Sequence, residues 1–196
     1  MDTLEFLLEE PSMAVIVRSI LPAILPPQWQ LDRNCFVRVH QGKQDLQRSL
    51  PIKIRAARNK NSHTTFVVVQ DQDASDCRLL KKHLADICEE ARGNATNISW
   101  LIRIVCHELE AWYLGDLNAV SAAFPSFNPK LMGARRLNDP DSYVNPKHEL
   151  KRHLGDYPQI ETARRIAANM TLEGNKSQSF NCFIEGVRRI TNENES

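Results

Sequence analysis

The stretch TTFVVVQDQD, residues 64–73, decides the fold class of this chain. Residues 64–70 are rich in β-branched residues and almost wholly apolar, which is typical of a short strand buried on both faces of a parallel sheet. Two acids, Asp71 and Asp73, follow at once. Functional groups of parallel sheets gather at the carboxyl ends of the strands. The stretch therefore predicts a central strand that carries acids to that edge.

On either side of this strand, the sequence alternates between strand-like and helix-like patterns. Further strands are predicted at 3–9, 35–40 and 98–106, and helices at 12–25, 43–58 and 75–92. We expect Ser12 to cap the first helix and Pro51 to break the second. Such alternation predicts an α/β fold with a mainly parallel sheet of about four strands flanked by helices.

After residue 117 the chain changes character. Prolines 125, 129, 140 and 146 punctuate a polar stretch, and helical patterns follow near 146–154, 159–170 and 177–191. We therefore predict an α/β core over residues 1–117 and a C-terminal helical extension over 118–196. The extension is expected to pack on the core, so that both form one structural unit.

Composition excludes several classes of protein. The chain has 25 basic and 24 acidic residues, so any contact with phosphates must come from a local patch. Its five cysteines form no CxxC pair, which argues against a disulfide framework and a zinc site and favours a reducing cytoplasm. Acids in the first ten residues argue against a signal peptide, and the apolar runs are too short to cross a membrane. The sequence predicts a cytoplasmic protein without membrane contact.

Acidic residues follow three of the four predicted strands: Glu9 and Glu10, then Asp71 and Asp73, then Glu108 and Glu110. Asp71 and Asp73 are two residues apart, so on an extended backbone they point to the same side. Converging carboxylates repel each other unless a cation lies between them. Oxygen ligands suit Mg²⁺, with Mn²⁺ as a substitute, and the sequence therefore predicts such a site.

Each acidic group also has an ordinary explanation. A DxD after a strand is commonly a turn or a helix N-cap, and Ser75 or Asp76 could cap the helix that follows. Glu9 and Glu10 could be solvated acids in front of a helix. The coincidence of three acidic groups at one sheet edge favours the metal site.

Two segments resemble the motifs of Toprim domains. LEFLLEEPSM (4–13) resembles the motif in which a strand ends in a glutamate, and VVVQDQD (67–73) resembles the strand that ends in DxD. The chain as a whole resembles the Toprim-like family labelled domain of unknown function 4276. The stretches that carry this resemblance are LLEEPSM, HQGKQDLQRSLP, FVVVQDQDASDC, CHELEAWYLGD, VNPK and SQSFNCF.

The resemblance implies roles for these acids. Glu9 matches the motif glutamate, but Glu10 stands where Toprim domains usually have glycine, so the choice between the two is open. Asp71 and Asp73 match the metal-binding DxD. Toprim nucleases of the overcoming-lysogenization-defect type have further acids after a later strand and can hold two metals. Catalytic roles are thus implied for Glu9, Glu10, Asp71, Asp73 and Glu110, and metal-binding roles for Glu9, Asp71, Asp73, Glu108 and Glu110.

The resemblance further implies metal-dependent hydrolysis of nucleic-acid phosphodiester bonds, with DNA favoured over RNA. It implies the nuclease component of a bacterial anti-phage system that works with a separately encoded ABC- or AAA-type ATPase, since GxxxxGK[ST] is absent here. The alternative is a non-catalytic Toprim-fold binding or regulatory module. The sequence leaves open one metal or two, and a monomer or a homo-oligomer.

A basic segment, residues 40–60, could supply phosphate contacts through Lys43, Arg48 and Arg55. A solvated helix face explains it equally well. If that face is only solvated, the next candidates lie in the helical half: Arg135, Arg136, Arg164 and Arg165. His40 and His107 are not at zinc spacing, so we expect structural or exposed roles for them.

Overall fold

Strands and helices alternate in the order that the sequence predicts. The computed structural model describes residues 1–131 and 138–192. Its first half consists of β1 (Thr3–Leu8), α1 (Pro11–Ile24), β2 (Cys35–Val39), α2 (Lys43–Ala57), β3 (Thr64–Asp71), α3 (Cys77–Arg92) and β4 (Ile98–Val105). This order of strands and helices confirms the predicted α/β class.

The described strands form one four-stranded sheet in the order β2-β1-β3-β4, and every neighbouring pair is parallel. All eight residues of β3 are buried, which confirms the prediction of a central strand. Asp71 aligns with Val105 of β4, and Leu8 of β1 aligns with Val69. The carboxyl ends of β1, β3 and β4 therefore lie side by side.

Alternate residues of the strands enter two hydrophobic clusters, one on each face of the sheet. Phe66 and Val68 pack with the apolar residues of α2 and α3. Val67 and Val69 pack on the opposite face with α1 and with helices from later in the chain. Burial on both faces explains why β3 is apolar throughout.

Two details of the helices differ from the sequence prediction. Helix α1 begins at Pro11, and Ser12 donates its hydroxyl proton to the Glu10 carboxylate instead of capping the helix. Pro11 suits this first position because its missing N–H would have no partner there. Helix α2 continues through Pro51, since Leu46, Leu50 and Ile54 are fully buried and hold it against the sheet.

The helical extension packs on the sheet. Helix α4 (Glu110–Gly115) precedes it, and the chain continues with α5 (Leu117–Ala123), α6 (Pro146–Leu154), α7 (Gln159–Ala167) and α8 (Gln178–Asn192), with 3₁₀ turns at Pro129–Leu131 and Pro140–Ser142. Helix α7 contacts α1, and α8 contacts β4. The ring of Phe183 lies 6.4 Å from that of Phe6, so both halves contribute to one cluster. The boundary at residue 117 stays a prediction. In the described ranges, no helix is long and apolar enough to span a bilayer.

Candidate active site

Asp71, the last residue of β3, is a buried acid at the carboxyl edge of the sheet. Its side-chain Oδ1 is inaccessible and accepts no hydrogen bond from any described residue. Burial raises the pKa of Asp71 well above its usual range, and neighbouring carboxylates raise this pKa further: Glu10, Glu9, Glu110 and Asp73. The fold therefore gathers acids from three strand ends around one buried carboxyl group.

Glu9 and Glu10 follow β1 and both lie beside Asp71. Glu9 accepts a 3.0 Å hydrogen bond on Oε2 from the Asp71 backbone N–H. Burial raises the pKa of Glu9, although this hydrogen bond opposes the rise. Glu10 is bound by Ser12 at the start of α1. Both glutamates are near enough to act on Asp71 electrostatically, so the choice between them stays open.

Asp73 forms an ion pair with Lys43 from the basic segment. The Lys43 Nζ lies 2.9 Å from Asp73 Oδ2, and this bond raises the pKa of Lys43. Gly42, with φ of +92°, permits the sharp turn from β2 into α2 that brings Lys43 here. The predicted phosphate contact thus lies among the predicted metal ligands.

The loops after β3 and β4 are joined through Asp73 and His107, which both have positive φ, +51° and +57°. The Asp73 N–H donates to the His107 carbonyl at 2.8 Å, and His107 Nδ1 lies 3.2 Å from the Asp73 carbonyl. Nδ1 of His40 lies 3.0 Å from the Leu8 carbonyl, and burial lowers the pKa of His40. Both imidazole rings thus contact the backbone of the site.

Glu110, the first residue of α4, is buried and connects the site to the helical extension. The Tyr157 hydroxyl donates to Glu110 Oε1 at 3.0 Å. Burial raises the pKa of Glu110 to about 7, while Lys147 and Tyr157 oppose the rise. Glu108 differs, because its Oε2 accepts the backbone N–H of Lys147 at 3.0 Å at the start of α6.

Sequence reasoning missed three residues of this site: Tyr113, Lys147 and Tyr157. The hydroxyl of Tyr113 is buried, has no hydrogen-bond partner in residues 1–131 and 138–192, and has a pKa raised by burial and then by Glu110. Lys147 belongs to VNPK, a stretch that already stood out in the sequence, and this was the available signal. Periodicity could not show Tyr157, since it lies outside the predicted helices.

Along α2, Arg48 and Arg55 are exposed and lie one or more turns beyond Lys43. At 1.5 Å per residue, they are about 7 and 18 Å from Lys43 along the helix axis. In the helical half, Arg164 pairs with Glu161 at 3.4 Å, and Arg165 lies 4.1 Å from the ring centre of Phe124. Arg135 and Arg136 lie outside the described residues.

The candidate ligands suit a hard cation, since all are carboxylate oxygens. Among the described residues, none donates a hydrogen bond to Asp71 Oδ1. As they stand, however, no three His, Cys, Asp or Glu side chains of the described chain could together hold a metal ion. Glu9 accepts the Asp71 amide, and Lys43 is bound to Asp73. These acids therefore lie at one edge of the sheet, but as they stand they do not form a complete metal site.

Comparisons with known proteins agree with this fold. The family described as "Domain of unknown function (DUF4276)" matches residues 8–188. The chain is also similar to a solved structure, the C-terminal region of the Xanthomonas campestris pv. campestris OLD protein. That likeness has a TM-score of 0.54 and 13% identity over 98% of each chain, and it shows that the two chains share a fold. No curated protein matches the chain.

Proposed function

We propose that this chain, which belongs to the DUF4276 family, hydrolyses nucleic-acid phosphodiester bonds with the help of a bound divalent metal ion. The observation that carries the proposal is Asp71, a buried carboxyl group with four acidic neighbours and one oxygen to which no described residue donates a hydrogen bond. Such an arrangement is costly unless a cation compensates it. The likeness to Toprim nucleases supports the same chemistry.

Asp71 and Asp73 would hold the metal, together with Glu9 or Glu10 and with Glu110. Glu108 is the weaker of the two later acids, because its Oε2 already binds the backbone of α6. A divalent ion here would polarise the phosphate and lower the pKa of an attacking water. Tyr157 would orient Glu110 through its hydrogen bond.

The two lysines of the site would act on the substrate phosphate. Lys43 pairs with Asp73 across an exposed surface, so a cation at Asp73 would release its ammonium group. Lys147 acts electrostatically on Glu110, and its side chain forms no ion pair in the part of the chain that the structure describes. Both ammonium groups could then offset negative charge at the phosphate.

We place this activity in bacterial defence against foreign DNA, with a separately encoded ABC- or AAA-type ATPase as the partner. The resemblance to nucleases of the overcoming-lysogenization-defect type supports this setting. Five free cysteines support a reducing cytoplasm.

The test is an incubation of the purified protein with plasmid, linear DNA and tRNA, in Mg²⁺ or Mn²⁺ and then in EDTA. We expect metal-dependent cutting that EDTA abolishes and that Asp73→Asn removes. The matched control is Asp76→Asn in the same loop, which keeps an acceptor oxygen for the N-cap of α3 and should still cut. Cutting that persists in EDTA, or in Asp73→Asn, would contradict the proposal.

A second candidate is a non-catalytic Toprim-fold module that binds or regulates within such a complex. The Lys43–Asp73 ion pair favours it, because an ammonium group already neutralises one acid. This function predicts binding to nucleic acid without cutting under any metal condition. Calorimetry with Mn²⁺ separates the two, since the module should show no metal site lined by Asp71.

A further inference from the structure

A cavity of about 490 Å³ lies beside β4, the edge strand next to β3. Its walls come from the start of α3, from β4 and from α8, and they include Lys81, Ile102, Arg103, Ile104 and Arg189. The volume falls within the range of sites that bind small molecules, roughly 300–1,000 Å³. The lining combines apolar side chains with three cationic ones.

Arg103 is the most enclosed cation of this cavity. Its Nε donates to the Cys182 carbonyl at 2.8 Å, and its Nη1 donates to the Ile102 carbonyl at 3.0 Å. In the described ranges no carboxylate lies within ion-pair distance of it, and burial lowers its pKa. A guanidinium group has five N–H donors, so three remain for a ligand.

Helix α8 has a glycine where it passes this guanidinium group. Gly186 faces it, and a Cβ at that position would lie only 2.1 Å from Arg103 Nη2. Any larger residue would displace the side chain from the cavity wall. The glycine therefore preserves a partly buried positive charge that forms no ion pair within the described ranges.

Charge in the cavity favours an anion. Lys81 is exposed and forms no ion pair within the described chain, whereas the adjacent Lys82 pairs with Asp86 at 2.7 Å. The carboxylate of Asp141 is already bound by Ser177 and Ser179. Glu185 is the remaining acid of the lining and is exposed.

The cavity and the candidate active site share two loops. Cys77 lines the cavity and follows Asp73 by four residues, and Cys106 lines it just before Glu108. The Asp73–His107 hydrogen bonds join these loops. A strand bound at the acids would therefore pass next to the cavity.

We propose that this cavity holds one nucleotide of the substrate strand, which rests on the proposed nuclease function. Arg103 and Lys81 bind its phosphate, and Ile102 and Ile104 contact its base. The ligand chemistry is a phosphate joined to a flat apolar group. The cationic side chains of the lining, the volume and the shared loops together select this ligand.

The first test measures binding of a fluorescent single-stranded oligonucleotide by anisotropy, in Ca²⁺, from 50 to 300 mM salt. Lys81→Ala should lower the slope of log affinity against log salt by about 0.7, the value for one phosphate contact on a single strand. Lys82→Ala is the matched control and should keep the wild-type slope. Arg103→Gln should weaken binding roughly tenfold, since hydrogen bonds to charged groups contribute that much.

The second test measures the reactivity of a thiol that lines the cavity. Cys77 is exposed and lines the cavity, while Cys35 and Cys88 are buried elsewhere. Alkylation of Cys77 by iodoacetamide should slow when either AMP or the oligonucleotide is bound. This readout needs no mutation, so it remains valid if Arg103→Gln fails to fold.

Three outcomes would decide the matter. If Lys81→Ala and Arg103→Gln bind with the wild-type affinity and slope, the proposal is wrong. If AMP protects Cys77 but the oligonucleotide does not, the cavity binds free nucleotides and the assignment to the strand is wrong. A protein that binds the strand through Lys81 and Arg103 but never cuts would contradict the proposed function and support the cavity assignment.

Discussion

Two buried aspartates in this molecule have opposite surroundings. Asp116 and Asp71 are 7% and 8% exposed. The carboxylate of Asp116 accepts hydrogen bonds from the Ala119 N–H, the Thr171 N–H and the Thr171 hydroxyl at 2.9–3.0 Å. Asp71 has an oxygen without any described donor, and its neighbours are acids. A satisfied buried acid stabilises a fold, whereas an unsatisfied one among like charges indicates a site for a ligand.

Asp116 belongs to a polar anchor that fastens the helical extension to the core: Asp116, Asp141, Asn175, Ser177 and Ser179. Asn175 donates to the Trp112 carbonyl at 3.0 Å, and the Trp112 indole donates to Ser179 at 3.0 Å. Asp141 binds the start of α8 through Ser177 and Ser179. The SQSFNCF stretch therefore has a structural explanation in the polar anchor.

The largest difference between the two aspartates should appear in metal binding. Asp71→Asn should lower Mn²⁺ affinity by about 100-fold or more, since even outer-shell partners change metal affinity by about 10- to 100-fold. In EDTA its free energy of unfolding should equal or exceed that of the wild type, because a buried like charge is gone. Calorimetry and urea unfolding measure both quantities. A clearly less stable Asp71→Asn protein with intact metal binding would make Asp71 structural, like Asp116.

A substitution in the polar anchor should instead change stability and leave metal binding intact. Asp116→Ala should lower the free energy of unfolding by about 2–4 kcal/mol, because it leaves three donors without an acceptor. Its Mn²⁺ affinity, measured on the folded protein, should not change. Asp116→Asn keeps an acceptor oxygen, so its free energy of unfolding should fall by less. If Asp116→Ala abolished metal binding at full stability, the contrast between the two regions would fail.

Stability without metal should depend on pH through the acidic site. The pKa of Glu110 is about 7 in the folded chain, against an ordinary value of 4.5, so the folded protein binds more protons between these values. The free energy of unfolding therefore falls as pH rises through that window, by about 3 kcal/mol for Glu110. Melting temperatures in EDTA should be lower at pH 8 than at pH 5.

A matched pair of variants identifies the group responsible for that fall. Glu110→Gln should flatten the decline with pH, while Glu90→Gln, an exposed residue of α3, should leave it intact. Saturating Mn²⁺ should also remove the decline, since the metal compensates the charge. A wild-type protein that is more stable at pH 8 than at pH 5 in EDTA would overturn this expectation.

The smallest effect concerns the basic segment. If Lys43 and Arg48 contact phosphates, replacing both with alanine should weaken binding to unrelated duplexes alike and flatten the salt slope by about one unit per lost contact. Arg164→Ala, in the helical half, serves as the control, since Arg164 pairs with Glu161. If the double variant keeps the wild-type salt slope and Arg164→Ala changes it, the substrate path runs over the extension instead.

Sequence reasoning was most successful where one local pattern was sufficient. The apolar run of β3 predicted a central strand, and the structure confirms it. Pro51 was misleading, because the burial of α2 against the sheet outweighs one lost helical hydrogen bond. Ser12 was misleading too, since the Glu10 carboxylate binds its hydroxyl.

The sequence by itself determined that acids from three strands would lie at one edge of the sheet, because parallel strands end at one edge and each acidic group comes after its strand. Only the tertiary structure decided what those acids touch. Lys43 reaches Asp73 across 30 residues, and Tyr157 reaches Glu110 across 47. Arg103 crosses to α8 where Gly186 leaves room for it. Periodicity records which side of an element is buried, but a bond between distant side chains depends on how whole elements pack, and no local pattern carries that information.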